Sequence, residues 1–206
     1  MMIRAVIFDF GNVICRFDVQ QILKNLSQLS GKTLNELQEM LPLFSRIAHQ
    51  YESGALTSNE FYARFLATGR LSIERFQFIK AYSDIFMPIP TTFDLIRKLK
   101  LQFKLGLLSN TSEWHFEHGI KTTQVFNLFD AVSLSFQVKA MKPARAMYDD
   151  VLTKLKVNPE EAVYIDDIIE NVEAGQRIGL KGIHYQSHQS LVDSLQRIGI
   201  LVDILP

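Results

Sequence analysis

Five short and nearly uninterrupted apolar runs, at 3–8, 103–109, 131–135, 162–165 and 181–185, set the limits on what this chain can fold into. A strand with one wet face alternates apolar and polar residues, so a run that does not alternate reads as a strand covered on both faces. The last four runs are separated by stretches of helical character, including 112–126, 144–156 and 168–178. Strand and helix in alternation build βαβ units, and right-handed crossovers make the result a doubly wound parallel sheet. The predicted class is α/β.

Residues 9–102 separate the first run from the second, too many for a loop. No convincing strand is visible there, but helix starts are. Asp18…Gln21, Thr33…Glu36 and Thr57…Glu60 each fit a capping box, in which the first side chain caps the helix and the fourth reaches back. Apolar residues at helical spacing, such as Ile22, Leu26 and Leu29, or Phe61 and Phe65, give this segment faces of its own to bury. The spacing predicts an α-helical insert over 16–84, with 1–15 and 85–206 forming the α/β core. A helix over 91–101 returns to the sheet, and a final amphipathic helix from Ser187 onward, carrying Leu191, Leu195 and Ile198, packs on it.

Composition narrows the partners. Lys+Arg and Asp+Glu are equal at 22 each, with no block of like charge, so neither a nucleic-acid footprint nor a polybasic membrane patch is expected. No run approaches the roughly 18 apolar residues of a membrane span. The one cysteine, Cys15, rules out an intrachain disulfide framework, and Asp9 interrupts the first apolar run before it could serve as a signal-peptide core. A cytoplasmic protein with a small-molecule partner is expected; the oligomeric state is open.

Three of the runs end in small or acidic polar residues: Phe8 into Asp9, Leu108 into Ser109-Asn110, and Ile165 into Asp166-Asp167. Ligands of open parallel sheets bind beyond the carboxyl ends of the strands, so these groups are expected to share one crevice, with Lys142 near it. Pro143 suits the first turn of the helix that follows. Three carboxylates and one ammonium leave a formal charge of about −2, which would repel a phosphate unless a divalent cation were bound. Oxygen donors, without cysteine or a histidine pair, favour Mg²⁺ over Zn²⁺. Ser109 and Asn110 would donate to a phosphate oxygen, and Lys142 would neutralise charge on the transferring group. The set suits phosphoryl transfer to a carboxylate.

In order along the chain, Asp9-Phe10-Gly11-Asn12-Val13, Ser109-Asn110-Thr111, Lys142-Pro143 and Asp166-Asp167-Ile168-Ile169-Glu170-Asn171 resemble the four motifs of the haloacid dehalogenase superfamily. The insertion point and the stretch Tyr51-Glu52-Ser53-Gly54-Ala55-Leu56-Thr57 resemble members with an α-helical cap of the first type, and the opening motif is similar to the Phe-Asp-x-Gly-Asn-Val group, which includes sugar-phosphate phosphatases. The resemblance implies a Rossmann-like core and a Mg²⁺-dependent phosphomonoesterase acting on a small phosphorylated metabolite, such as glucose 1-phosphate. It implies that Asp9 attacks phosphorus to form an aspartyl phosphate. Asp9, the Gly11 carbonyl, Asp166 and Asp167 would then hold Mg²⁺, and Ser109, Asn110 and Lys142 would hold the phosphoryl group.

Gly11 departs from the pattern, because most phosphatases of the superfamily carry a second aspartate there as general acid and base. Such help is worth about 10²- to 10⁴-fold, so its loss should slow the reaction and favour leaving groups that depart with little protonation: aryl, acyl or anomeric sugar phosphates. Asp18 is a conceivable substitute, but helix capping accounts for it more simply. His115, His118 and Trp114 read as packing or surface residues, Cys15 as a small buried hydrophobe, and Phe61, Phe65, Phe76 and Phe78 as the core of the insert. Ala144 and Lys139, where relatives often carry aspartate and glycine, should affect only local turns. Two rival readings remain open: a metal-independent 2-haloacid dehalogenase, and an idle member that binds a phosphometabolite or a protein.

Overall fold

A computed structural model of the protein describes residues 2–201; the end of the expected C-terminal tail lies outside the described residues. The chain runs through β1 (Ala5–Phe8) and β2 (Cys15–Phe17), then α1 (Val19–Ser30), α2 (Leu34–Glu39), α3 (Leu41–Glu52), α4 (Ser58–Gly69) and α5 (Arg75–Ser83). It continues with β3 (Phe86–Pro88), α6 (Pro90–Lys100), β4 (Lys104–Ser109), α7 (Glu113–His118), β5 (Ala131–Leu134), α8 (Ser135–Val138) and α9 (Arg145–Leu155). β6 (Ala162–Asp166), α10 (Ile169–Arg177), β7 (Lys181–His184) and α11 (His188–Arg197) complete it.

All five apolar runs are strands of one parallel sheet, ordered β5-β4-β1-β6-β7. β1 is buried at every residue, because alternate side chains enter different cores. Val6 and Phe8 pack with Phe93 and Ile96 of α6 and Leu191 and Leu195 of α11; Ala5 and Ile7 pack with Met147, Tyr148 and Val151 of α9. A sheet coated on both faces has no wet side, which is why these runs do not alternate. The chain steps from β1 outward through β4 and β5, then returns to lay β6 on the other side of β1. That reversal opens a crevice at the carboxyl ends of the central strands.

The helical cap carries its own apolar cluster, in which Leu26, Phe44, Tyr51, Phe61, Phe65, Phe78 and Tyr82 are buried. Phe61, Phe65 and Phe78 match the expectation of a cap core; Phe76 does not, being 79% exposed. Trp114 of α7 is buried in the same cluster, so a residue of the α/β layer holds the cap down. Thr33 and Thr57 close full capping boxes with Glu36 and Glu60. At Asp18 only half of the box forms: its Oδ1 accepts from Gln20 N at 2.9 Å, while the Gln21 amide turns to Asn25.

Several local expectations are corrected. The segment between β1 and β4 does contain strands: β2 and β3 pair antiparallel, Cys15 opposite Pro88 and Phe17 opposite Phe86. Three residues each are too few to show a period. The helix expected over 112–126 stops at His118, with Gly119 as its C-cap and a 3₁₀ turn at Ile120–Thr122. Pro143 precedes the first turn of α9 rather than sitting in it, since Ala144 is the N-cap.

Candidate active site

Asp9 follows β1 directly, and its N–H continues the ladder to the Ile165 carbonyl at 2.8 Å, so the neighbouring strand fixes where the carboxylate emerges. The next turn is tight. Asn12 holds φ 54°, a left-handed conformation that asparagine tolerates better than most residues. Its Nδ2 donates to Asp167 Oδ2 at 3.0 Å, tying the turn after β1 to the turn after β6.

Asp166 ends β6 and is fully buried. Both of its oxygens have partners: Oδ1 accepts from Ile168 N at 2.8 Å, closing an Asx turn into α10, and Oδ2 accepts from Tyr164 Oη and from Lys142 Nζ. Asn171 Nδ2 donates to both at 3.2 Å. Lys142 Nζ lies 2.5 Å from Asp9 Oδ1 and 2.8 Å from Asp166 Oδ2, with its side chain almost inaccessible. One ammonium thus bridges two buried carboxylates, a geometry in which removing any partner strands a charge away from water.

Asn110 serves this arrangement indirectly. Its Oδ1 accepts from Lys142 N at 2.8 Å and its Nδ2 donates to Lys142 O at 3.2 Å, so the side chain clamps the lysine's backbone. Ser109 ends β4, is buried, and lines the same cavity as Asp9, Gly11, Asn110, Lys142 and Asp167. Every residue expected at the site therefore borders one crevice, with Asp166 just beneath it.

Burial pushes the Asp9 carboxyl up to about 7; Lys142 opposes that shift, while Asp166 and Asp167 add to it. For Lys142, burial favours loss of the proton, but Asp9 and Asp166 outweigh it and hold the ammonium above its ordinary value. Asp9, Asp166 and Asp167 each present an oxygen within 4.8 Å of the others. An all-oxygen donor set carrying more negative charge than one lysine balances fits a hard divalent cation.

The roof of the cavity is the cap. α3 reaches it because its C-terminal end is fastened to the α/β layer. Ser135 Oγ donates to the Glu52 carbonyl at 2.6 Å and accepts from Thr111 N at 2.8 Å, and Trp114 N donates to Tyr51 Oη at 3.1 Å. The following turn needs glycine: Gly54 has φ 72°, and a Cβ there would meet the Phe136 carbonyl oxygen at 2.4 Å. Glu52, left half-buried in the cavity wall, lies in the stretch that resembles a cap of the first type, but nothing in the sequence marked it as a site residue. Burial pushes its carboxyl up to about 7.

His115 also borders the cavity but is committed elsewhere. Its ring stacks on Tyr82, Nε2 bonds the Tyr82 carbonyl at 3.0 Å, and burial lowers its pKa to about 4. His118 is exposed, and Cys15 is buried with its thiol pushed up to about 12. Lys139 occupies a left-handed position, φ 56°, as the C-cap of α8, which explains why glycine suits that place.

Residues 3–179 match the haloacid dehalogenase-like hydrolase family. The chain belongs to that family. D-ribitol-5-phosphate phosphatase of Bacteroides thetaiotaomicron is 25% identical across 87% of this chain and 90% of its own length. Drimenol cyclase drtB of Aspergillus calidoustus is 26% identical across 96% of this chain, which spans only 37% of that longer protein. Among solved structures, a HAD family enzyme of Bacteroides thetaiotaomicron, in complex with magnesium and inorganic phosphate, superposes with a TM-score of 0.78 at 23% identity, covering 89% of this chain and 94% of that one. The likeness extends over core and cap, so this haloacid dehalogenase-like hydrolase carries its helical insert as part of the shared fold. Among the described residues, no helix is long and apolar enough to cross a membrane.

Proposed function

We propose that the chain is a Mg²⁺-dependent phosphomonoester hydrolase of the cytoplasm, with residues 16–84 as its cap and 1–15 with 85–206 as its core. The observation that carries this reading is the bridge from Lys142 to Asp9 and Asp166 at the sheet's carboxyl edge, with Asp167 alongside. Asp9 is the nucleophile: a carboxylate oxygen bonds to phosphorus as the bond to the leaving oxygen breaks, giving an aspartyl phosphate that water then cleaves. Lys142 and Ser109 hold phosphoryl oxygens, and Asn110 keeps Lys142 in place. Asp9, the Gly11 carbonyl, Asp166 and Asp167 would hold Mg²⁺, which when bound neutralises charge on the phosphoryl group. The phosphatase relatives support a phosphorylated metabolite as substrate, and the magnesium and phosphate in the structural relative support the ion.

Gly11 offers no acid to the leaving group. Phosphates whose leaving groups need little protonation are the favoured substrates, with aryl and acyl phosphates ahead of simple alkyl ones. The dehalogenase reading calls for a cap arginine at the halide pocket, and no arginine borders the cavity among the described residues.

The test is a panel of phosphorylated metabolites, p-nitrophenyl phosphate and acetyl phosphate, assayed with Mg²⁺ or EDTA for the native chain and Asp9→Asn. Turnover that needs both Mg²⁺ and Asp9 is expected. Native activity no higher than that of Asp9→Asn, or chloride release from 2-chloropropionate in EDTA, would overturn the proposal.

A further inference from the structure

The cavity above Asp9 encloses about 470 Å³, far more room than a phosphoryl group occupies and within the range of small-molecule sites. Its two sides differ in chemistry. The floor is polar, formed by the carboxylates, Lys142, Ser109 and the amides around them. The roof is largely hydrocarbon and aromatic ring: Val19, Ile22 and Leu23 from α1, Phe44 from α3, Phe65 from α4, and Phe86 from β3.

At the corner nearest the nucleophile the contrast is sharpest. Phe17 stands over Gly11, with its Cε1 3.0 Å from where a glycine Cβ would lie, and Asp9 Oδ2 is 3.7 Å from the same point. An aromatic ring thus borders the space into which a leaving group would depart. Phe17 is 40% exposed and Val19 42%, and both border the cavity, so part of its wall is apolar surface left open to solvent.

Resting on the phosphatase reading, we infer that the substrate is a monophosphate of an apolar phenol, whose hydrocarbon body lies under the cap while its phosphate reaches Asp9. A polyol phosphate fits less well. Each hydroxyl taken from water needs a partner, and the cap helices line the cavity mainly with apolar side chains, Ser45, His49, Glu52 and Tyr82 being their polar ones. Burial raises the Glu52 carboxyl toward its neutral form, as an apolar surrounding would.

The experiment is a series of p-alkylphenyl phosphates, from methyl to heptyl, assayed with Mg²⁺ beside glucose 1-phosphate and acetyl phosphate. The tail grows while the basicity of the departing phenolate stays constant. Expected is a kcat/KM that climbs by up to about fourfold per methylene until the cavity is full, the factor for moving one CH₂ out of water. Val19→Asn, at a partly exposed position, should flatten that climb. A flat series, or glucose 1-phosphate outpacing every aryl ester, overturns this inference alone, since turnover itself would persist. No turnover of any of these phosphates, acetyl phosphate included, overturns the phosphatase reading and this one with it.

Discussion

The Phe17 ring occupies the approach to Gly11: a Cβ on the glycine would meet Phe17 Cε1 at 3.0 Å and Cδ1 at 3.4 Å. The missing acid and the ring beside it are therefore one arrangement, because a side chain at Gly11 crowds the ring, which must give by a few tenths of an ångström to admit even its Cβ. Gly11→Asp alone should leave alkyl phosphate turnover within a few-fold of the native rate. Adding Phe17→Ala should raise kcat by about 10²-fold, the lower range of general acid help. Equal rates for the single and double variants would show that the ring is no obstacle.

Lys142→Met should leave Asp9 and Asp166 facing each other without a counter-charge in a buried site. Breaking such a pair costs about 3–5 kcal/mol. Denaturant unfolding without metal should show that loss, and Mg²⁺ should restore more stability to the variant than it adds to the native chain. A loss under about 1 kcal/mol would mean that the carboxylates simply take up protons.

Glu52 should leave a mark on stability against pH. Its folded pKa of about 7 lies above the ordinary 4.5, so the folded chain holds the proton more tightly than the unfolded one. The penalty for ionising it is absent below about 4.5 and complete above about 7, so native stability falls across that window. Glu52→Gln carries no such penalty. Relative to native, it should gain on the order of 2 kcal/mol between pH 4.5 and pH 8, with the figure held below the full linkage value because the side chain is only half-buried. Parallel unfolding curves at the two pH values would refute it.

Lys139→Gly should stabilise the fold. A lysine at φ 56° carries a left-handed penalty of about 1 kcal/mol that glycine avoids, partly offset by glycine's freer unfolded chain. The expected net gain is a few tenths of a kcal/mol, about 0.5 at most, by urea unfolding. A loss would show that the lysine side chain contributes a contact worth more than the strain.

What the sequence made legible follows from how far each signal is confined to one element. Asp9, Ser109 and Asp166 stand where buried runs end, and parallel strands in register bring such ends together. Thr33 and Thr57 announced their helices through residues three places on. The cavity roof had no comparable signal. Phe17, Phe44 and Glu52 come from β2 and both ends of α3, and they become neighbours through tertiary contacts such as the β2–β3 pairing, the docking of Glu52 O on Ser135 and that of Trp114 into the cap cluster. Asn110 shows the opposite limit. Its position was legible, but its reciprocal bonds to the Lys142 backbone depend on a loop conformation that no spacing encodes.

The antiparallel pairing of β2 with β3 means that the two passages of the chain into and out of the cap form a single ribbon rather than two separate tethers. A ribbon flexes most easily along one direction, so opening and closing would share an axis instead of wandering. Phe17 and Phe86 sit opposite each other on that ribbon and both face the cavity. Any swing of the lid would therefore carry the wall beside the nucleophile with it, coupling admission of a substrate to the shape of the pocket that receives its leaving group.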